Sequence, residues 1–298
     1  MDEPKRTASS LWLDTINPFY LVLSVFYYAM GTGVAHFLGH VIQWGVFWSG
    51  LACVIVLQIA SYFLKGYFEL KETPRFSATD PEQTNLVAHS FILVGLTALS
   101  IGTILAAFLL SQRTDKLLEL FLLGLMFVLA FAYGVPPFSL YRRGFGELSN
   151  AIILSSLTPA LAYLLQMGTL HRILTVLTVP CLLVLIAREL GVALQSYGEE
   201  MKYGVRTAMG HLGWQRGMGL HNLLVLLAFV VLAGTALFGL PWNLIWPGML
   251  ALPVGLFQIW QMVQIAAGAK PRWRLLRFTI DATPMLMVYM LALALWTH

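Results

Sequence analysis

Long runs of apolar residues make up most of the chain, and they do not alternate with polar positions as half-buried strands do. A helix needs about 20 apolar residues to cross the hydrocarbon of a bilayer. Runs near that length lie at 19–38, 41–64, 86–110, 117–133, 148–167, 173–194, 220–240, 243–267 and 278–296. The pattern therefore predicts an all-α, polytopic membrane protein in which nine transmembrane helices form a single bundle.

Composition supports a membrane protein. Hydrophobic residues make up 58% of the chain and charged residues 11%, whereas soluble domains carry about 25% charged residues. A cytosolic enzyme and a disordered protein are therefore excluded, and the net charge of +4 does not indicate a nucleic-acid partner. We expect one transmembrane domain over residues 1–298. Residues 1–15 would be a short cytoplasmic segment, without the cleavage site of a signal peptide.

The basic residues are distributed unequally between the two sides that nine spans define. Of the 18 lysines and arginines, all but Arg113, Lys116 and Arg172 fall on the side of the N-terminus. Cytoplasmic loops of membrane proteins carry such an excess. We therefore predict a multi-pass protein of the cell membrane, with its N-terminus and its charged loops in the cytoplasm. The outer connections are short, so any chemistry is expected at the cytoplasmic face.

Two charged segments follow the second and sixth spans, at 65–85 and 188–219. If the sixth helix continues, Glu189, Ser196 and Glu200 share one face with Tyr203. Carboxylates beside lysine and arginine suit a Mg²⁺ ion bound together with phosphate groups. Charged loops that only fix the topology are the alternative.

Several polar residues within the spans have their own interpretations. Glu189 near the membrane interface is either functional or simply paired with Arg188. Arg277 and Asp281, four apart, are expected to form a structural pair. The eighth span carries three glutamines that would bind neighbouring helices or line a polar acceptor pocket: Gln258, Gln261 and Gln264.

Three segments resemble motifs of one family. Residues 133–148 read YGVPPFSLYRRGFGEL, residues 204–213 read GVRTAMGHLG, and residues 58–69 end in YFE. Together with nine spans, they resemble the UbiA superfamily of intramembrane aromatic prenyltransferases. The first segment is most similar to the branch that prenylates 1,4-dihydroxy-2-naphthoate in menaquinone synthesis.

The resemblance implies a reaction and its partners. In the family, two aspartate-rich motifs hold Mg²⁺ on the diphosphate of a polyprenyl donor, and an aromatic acceptor attacks the allylic cation that forms. The lipid tail of the donor lies in the bilayer. No protein partner is implied.

This chain departs from the family at the metal ligands. In the first motif only Glu69 keeps a carboxylate, with Glu72 nearby. In the second motif Val192 and Ser196 occupy two ligand positions, and only Glu200 keeps an acid. Fewer carboxylates imply a weakened Mg²⁺ site.

The resemblance assigns candidate residues to three roles. The catalytic candidates are Glu69, Glu200 and Tyr67. The metal candidates are Glu69, Glu72, Glu199 and Glu200, with Glu189 in reserve. The candidates for the diphosphate are Lys65, Arg142, Arg143, Lys202 and Arg206. Tyr67 and Tyr203 either line the reacting centre or are packing tyrosines.

Two other functions stay open. The missing aspartates favour a catalytically impaired relative that binds isoprenoid lipid or supports a partner enzyme. The retained basic residues disfavour this alternative. A transporter is less favoured, because we expect no pair of helices broken by glycine or proline at the middle of the membrane.

Overall fold

The computed structural model describes Trp12, Thr15 and residues 17–72, 81–112, 117–203 and 208–298. Within these ranges, the side chains of 72, 81–83, 199–203 and 208 are left undescribed. The described backbone is almost entirely helical and contains no β-strand. The predicted all-α fold class is confirmed.

Nine helices in the described part are long and apolar enough to cross a membrane. Most begin and end within a few residues of the predicted runs. We number them α1 (Pro18–Phe37), α2 (Trp44–Glu72), α3 (Pro81–Ser111), α4 (Leu117–Gly134), α5 (Gly146–Met167), α6 (Arg172–Tyr203), α7 (Trp214–Gly234), α8 (Trp242–Ala266) and α9 (Trp273–Thr297).

The sixth helix continues beyond the predicted run of 173–194. A continued helix was one of the possibilities left open from the sequence, and α6 reaches Tyr203. Arg188 and Glu189 lie inside the helix, and both are buried. Buried charges need not end a helix when other helices supply their counter-charges.

Two helices are irregular. In α5 a π-helical turn at Ile153–Leu157 separates two α-helical segments, and the Thr158 hydroxyl donates to the carbonyl of Ile153 (2.8 Å). In α8 the segments Trp242–Met249 and Leu252–Ala266 are separate helices. Since proline lacks the N–H that a helix interior needs, Pro253 at the start of the second segment accounts for the break. The expectation of unbroken spans is wrong for α8.

The core centres on α1, which packs against α5 and α9, while α2 packs against α3 and α6 against α7. The helices α3, α7 and α8 leave most of their apolar surface exposed, as helices facing lipid would. Exposed tryptophans, predicted for the membrane interface, lie at the start of α2 and α8: Trp44, Trp48, Trp242 and Trp246. Trp296 instead packs inward, donating to the carbonyl of Ala29 (2.9 Å).

Candidate functional site

Polar side chains from six helices meet at one end of the bundle, which we call the site face. It comprises the beginnings of α1, α5 and α9 and the late turns of α2, α4 and α6. Three tyrosine rings connect these helices: the Tyr20 and Tyr62 centroids are 6.0 Å apart, and those of Tyr62 and Tyr133 are 6.4 Å apart. We call Tyr20, Tyr62 and Tyr133 the tyrosine row.

One end of the tyrosine row reaches Lys65 on α2. Its Nζ lies 3.9 Å from Glu69 Oε2, 5.2 Å from the ring centroid of Tyr141 and 6.0 Å from that of Tyr133. A lysine over aromatic faces is held by their quadrupoles. The Lys65 side chain nevertheless keeps 32% of its surface exposed. We call Lys65, Glu69, Tyr133 and Tyr141 the Lys65 cluster.

Glycines bring the chain close enough to build this cluster. A Cβ atom at Gly134 would lie 2.7 Å from the Cα atom of Lys65, and one at Gly146 would lie 2.6 Å from that of Tyr141. Both distances are shorter than side chains tolerate. The end of α4 can therefore contact α2 directly, and the start of α5 lies directly against Tyr141.

The loop between α4 and α5 places the two predicted arginines differently. Arg142 is half-buried, and its guanidinium lies 5.7 Å from the Tyr141 ring centroid. Arg143 is exposed and donates to the carbonyl of Pro137 (2.8 Å), which ties it to its own loop. Glu147 is close enough to Lys65 to interact with it electrostatically.

The other end of the tyrosine row reaches a buried ionic network. Arg188 is 1% exposed. Its Nη1 lies 3.1 Å from Glu189 Oε1 and donates to the Tyr20 hydroxyl, and its Nε donates to Asp281 Oδ1 (2.9 Å). Arg277 donates to the second oxygen of Asp281 (2.8 Å). We call Arg188, Glu189, Tyr20, Asp281 and Arg277 the Arg188 cluster.

This network confirms two predicted pairs and adds a third. The pairs of Arg277 with Asp281 and of Glu189 with Arg188 are both present. The third pair, between Arg188 and Asp281, joins α6 to α9 and was not predicted, because these residues are 93 positions apart. The Tyr20 hydroxyl also lies 2.7 and 2.8 Å from the two oxygens of Glu189. Buried charges persist only with such dense pairing.

The two clusters share an electrostatic environment. Glu189 interacts electrostatically with Tyr62 and Tyr133 across the tyrosine row. A cavity of about 20 Å³ lies beside Tyr62 and Tyr133 and is also lined by Ser61 and Asn150. That volume holds about one water molecule. The described state is thus closed around a small void whose lining is mostly apolar, with a few polar groups.

Only some of the site residues predicted from the sequence lie at the site face. Lys65, Glu69 and Arg142 lie at the site face around Tyr141. Tyr67 packs instead against the apolar cluster between α2 and α3 that contains Phe63. This placement fits the packing alternative. The remaining candidates lie outside the described residues or side chains: Glu72, Glu199, Glu200, Lys202, Tyr203 and Arg206.

The described residues meet the needs of Mg²⁺ only in part. Among them, no group of three or more histidines, cysteines or acids could hold a metal. The carboxylates of Glu189 and Asp281 are occupied by arginines. Glu69 is 37% exposed and its ion pair is long, so its carboxylate is accessible. One carboxylate suffices for Mg²⁺ when phosphate oxygens supply further ligands.

Two of the three glutamines of α8, Gln258 and Gln261, are buried in the bundle. Gln258 receives a hydrogen bond from Thr283 of α9 (3.0 Å) and lies 2.6 Å from the ring of His221 of α7. Gln261 donates to Thr279 (3.0 Å). Their predicted role in binding neighbouring helices is confirmed. Gln264 is exposed.

Comparison with known proteins identifies the fold. No protein-family model and no curated protein match the chain. Solved structures of UbiA homologues do match it, each with a TM-score of 0.60. The homologue from Aeropyrum pernix K1, without ligand, is 15% identical over 92% of this chain and 96% of its own. A homologue from Archaeoglobus fulgidus was solved with GPP and Mg²⁺ (12% identical, 97% and 100% covered) and with DMAPP and Mg²⁺ (14% identical, 96% and 99% covered). The chain therefore has the fold of UbiA homologues.

Proposed function

We propose that the chain is an intramembrane prenyltransferase of the UbiA type. It would transfer a polyprenyl group from its diphosphate to an aromatic, quinone-precursor acceptor. The observation that carries the proposal is the half-exposed Lys65 cluster beside the tyrosine row. This arrangement lies in a fold whose solved examples include complexes with GPP, DMAPP and Mg²⁺. The 1,4-dihydroxy-2-naphthoate branch remains a prediction from the sequence resemblance.

The Lys65 cluster would bind the diphosphate. Ammonium and guanidinium groups form strong, charge-assisted hydrogen bonds with phosphate oxygens. Lys65 is held by aromatic faces and by a long ion pair with Glu69, so an incoming diphosphate would displace only loosely held acids, Glu69 and the nearby Glu147. Arg142 lies over the same Tyr141 ring and supplies a second cation.

The tyrosine row would face the reacting carbon atoms. When the carbon–oxygen bond of the donor breaks, its electron pair leaves with the diphosphate and an allylic cation remains. Aromatic faces stabilise cations. Tyr62 and Tyr133 both line the small cavity, and Tyr133 lies beside Lys65. The acceptor ring then forms the new carbon–carbon bond and releases a proton. Glu69 would hold Mg²⁺, which supplies charge stabilisation to the departing diphosphate.

Substrate binding requires the site to open. The described cavity of about 20 Å³ has room for about one water molecule and for neither substrate. Tyr62 and Tyr133 must therefore separate, or the loop that carries Tyr141 must move, before the donor and the acceptor can meet.

The site face would lie in the cytoplasm of the cell. The uneven distribution of lysine and arginine in the sequence supports this orientation. Polyprenyl diphosphate would reach the site from the bilayer, with its charged end at the interface.

The proposed activity is tested with purified protein in lipid nanodiscs. Labelled polyprenyl diphosphates of several lengths are mixed with a panel of aromatic acceptors, with Mg²⁺ or with a chelator. We expect a prenylated product. Lys65→Gln should lower donor affinity about tenfold or more, the effect of one charge-assisted hydrogen bond. Lys71→Gln is the matched control. Lys71 lies on the same helix, but its Nζ atom lies over the Tyr67 ring, 4.8 Å from the ring centroid.

The impaired relative is the second candidate function. The occupation of Glu189 and Asp281 by Arg188 favours it, because those acids are not free to bind a metal. Donor binding that depends on Lys65, with no product from any acceptor, would support this candidate. Absence of donor binding would contradict both functions and leave only the shared fold.

A further inference from the structure

Glu119 is a buried acid at the end of the bundle opposite the site face. It lies in the first turn of α4 and is 2% exposed. Its Oε1 atom is buried and has no hydrogen-bond partner. The other buried acid of the described chain, Glu189, is bonded to Tyr20 and Arg188. Glu119 is therefore a buried acid with one carboxylate oxygen left unbonded.

Glu119 lines a pocket of about 570 Å³ between the start of α4 and the link from α5 to α6. Leu117 and Phe121 form one wall, and Gly168, Thr169 and Leu170 form the other. Leu117, Phe121 and Leu170 are exposed, so the apolar walls continue onto the surface that faces lipid. The pocket thus combines one carboxylate with an apolar exit toward the membrane.

The chemistry of the pocket specifies its ligand. A buried carboxylate oxygen without a hydrogen-bond partner is costly. An ionised carboxylate only accepts hydrogen bonds. Its complement is a cation that carries N–H groups. A primary ammonium has three such donors, whereas a quaternary ammonium has none.

We propose that this pocket binds a phospholipid with a primary-ammonium headgroup, of the phosphatidylethanolamine type, in the leaflet opposite the site face. The ammonium donates to Glu119, and the acyl chains lie along Leu117, Phe121 and Leu170. A phospholipid of this type matches both parts of the pocket: its ammonium matches the carboxylate, and its acyl chains match the apolar walls. The proposal does not depend on the prenyltransferase function.

The proposal is tested by comparing two lipids that differ at the nitrogen. The full chain is reconstituted with phosphatidylethanolamine or with phosphatidylcholine, and bound lipid is counted by native mass spectrometry, alongside the thermal unfolding midpoint. We expect phosphatidylethanolamine to be retained about tenfold more strongly, the effect of one charge-assisted hydrogen bond, and to raise the midpoint. Glu119→Gln should abolish the preference. Glu69→Gln, the same change at the site face, should keep it.

Three results would overturn the proposal. The first is equal retention of the two lipids by the unaltered chain, which needs no variant to fold. The second is an unchanged preference in Glu119→Gln. The third is destabilisation by Arg113→Gln or Lys116→Gln to the same extent in both lipids, which would show that the chain itself pairs the carboxylate.

Discussion

The Arg188 cluster and the Lys65 cluster lie at the same end of the bundle, but they differ in how their charges are satisfied. Arg188 is 1% exposed and bonded to two acids and a tyrosine. Lys65 is 32% exposed, and its ion pair with Glu69 is 3.9 Å long. The central arginine of the first cluster is buried and densely paired, whereas the lysine of the second is accessible and only loosely paired. The comparison suggests that one cluster holds helices together and the other binds substrate.

The largest effect should come from breaking the Arg188 cluster. Arg188→Met would leave the buried Glu189 without its cation, and the half-buried Asp281 would keep only Arg277. Removing one partner of a buried ion pair costs about 3–5 kcal/mol. We expect a loss of that size in the free energy of unfolding, measured by denaturant titration in detergent. Arg277→Met is the control, because Arg277 is half-exposed and Asp281 keeps Arg188. Equal losses for both variants would contradict the central position of Arg188.

The next effect tests the close contact that forms the Lys65 cluster. In Gly134→Ala, the added methyl group would overlap the backbone of Lys65. Overpacking of this kind costs about 1–3 kcal/mol. Gly124→Ala lies on the same helix with nothing within 4 Å of its added atom, and should be neutral or slightly stabilising. Both variants are compared by thermal unfolding, and equal stability would show that α4 does not depend on this contact.

A smaller effect is expected at the middle of the tyrosine row. Gln58 Nε2 donates to the Tyr62 hydroxyl (3.2 Å), and the Ser24 hydroxyl donates to Gln58 Oε1 (2.6 Å). Tyr62→Phe keeps the ring but removes the acceptor, so we expect a loss of about 0.5–1.5 kcal/mol in unfolding free energy. If the ring stabilises the cation, donor turnover should fall much less in Tyr62→Phe than in Tyr62→Leu. Equal losses of turnover would assign the role to the hydroxyl instead.

The spans and the two clusters were not equally predictable from the sequence. The spans follow from local length and hydropathy, and Lys65 with Glu69 follows from spacing on one helix. The Arg188 cluster depends on Asp281, a distant partner that no local pattern reveals. The approach of Tyr141 to Lys65 depends on close contacts at Gly134 and Gly146. The burial of Glu119 follows only from the packing of α4 beside the α5–α6 link.

The smallest stability effect should accompany the largest effect on ligand binding. The pair between Lys65 and Glu69 is partly exposed and long, and such pairs contribute about 0–1 kcal/mol. Lys65→Gln should therefore unfold almost as the unaltered chain does, although its donor affinity falls. Arg188→Met should show the reverse order, with a large loss of stability, and any loss of donor binding should follow the fraction unfolded. Measuring unfolding and donor binding on both variants separates the two roles. A Lys65→Gln chain as unstable as Arg188→Met would mean that both clusters are structural, and the donor would have to bind elsewhere.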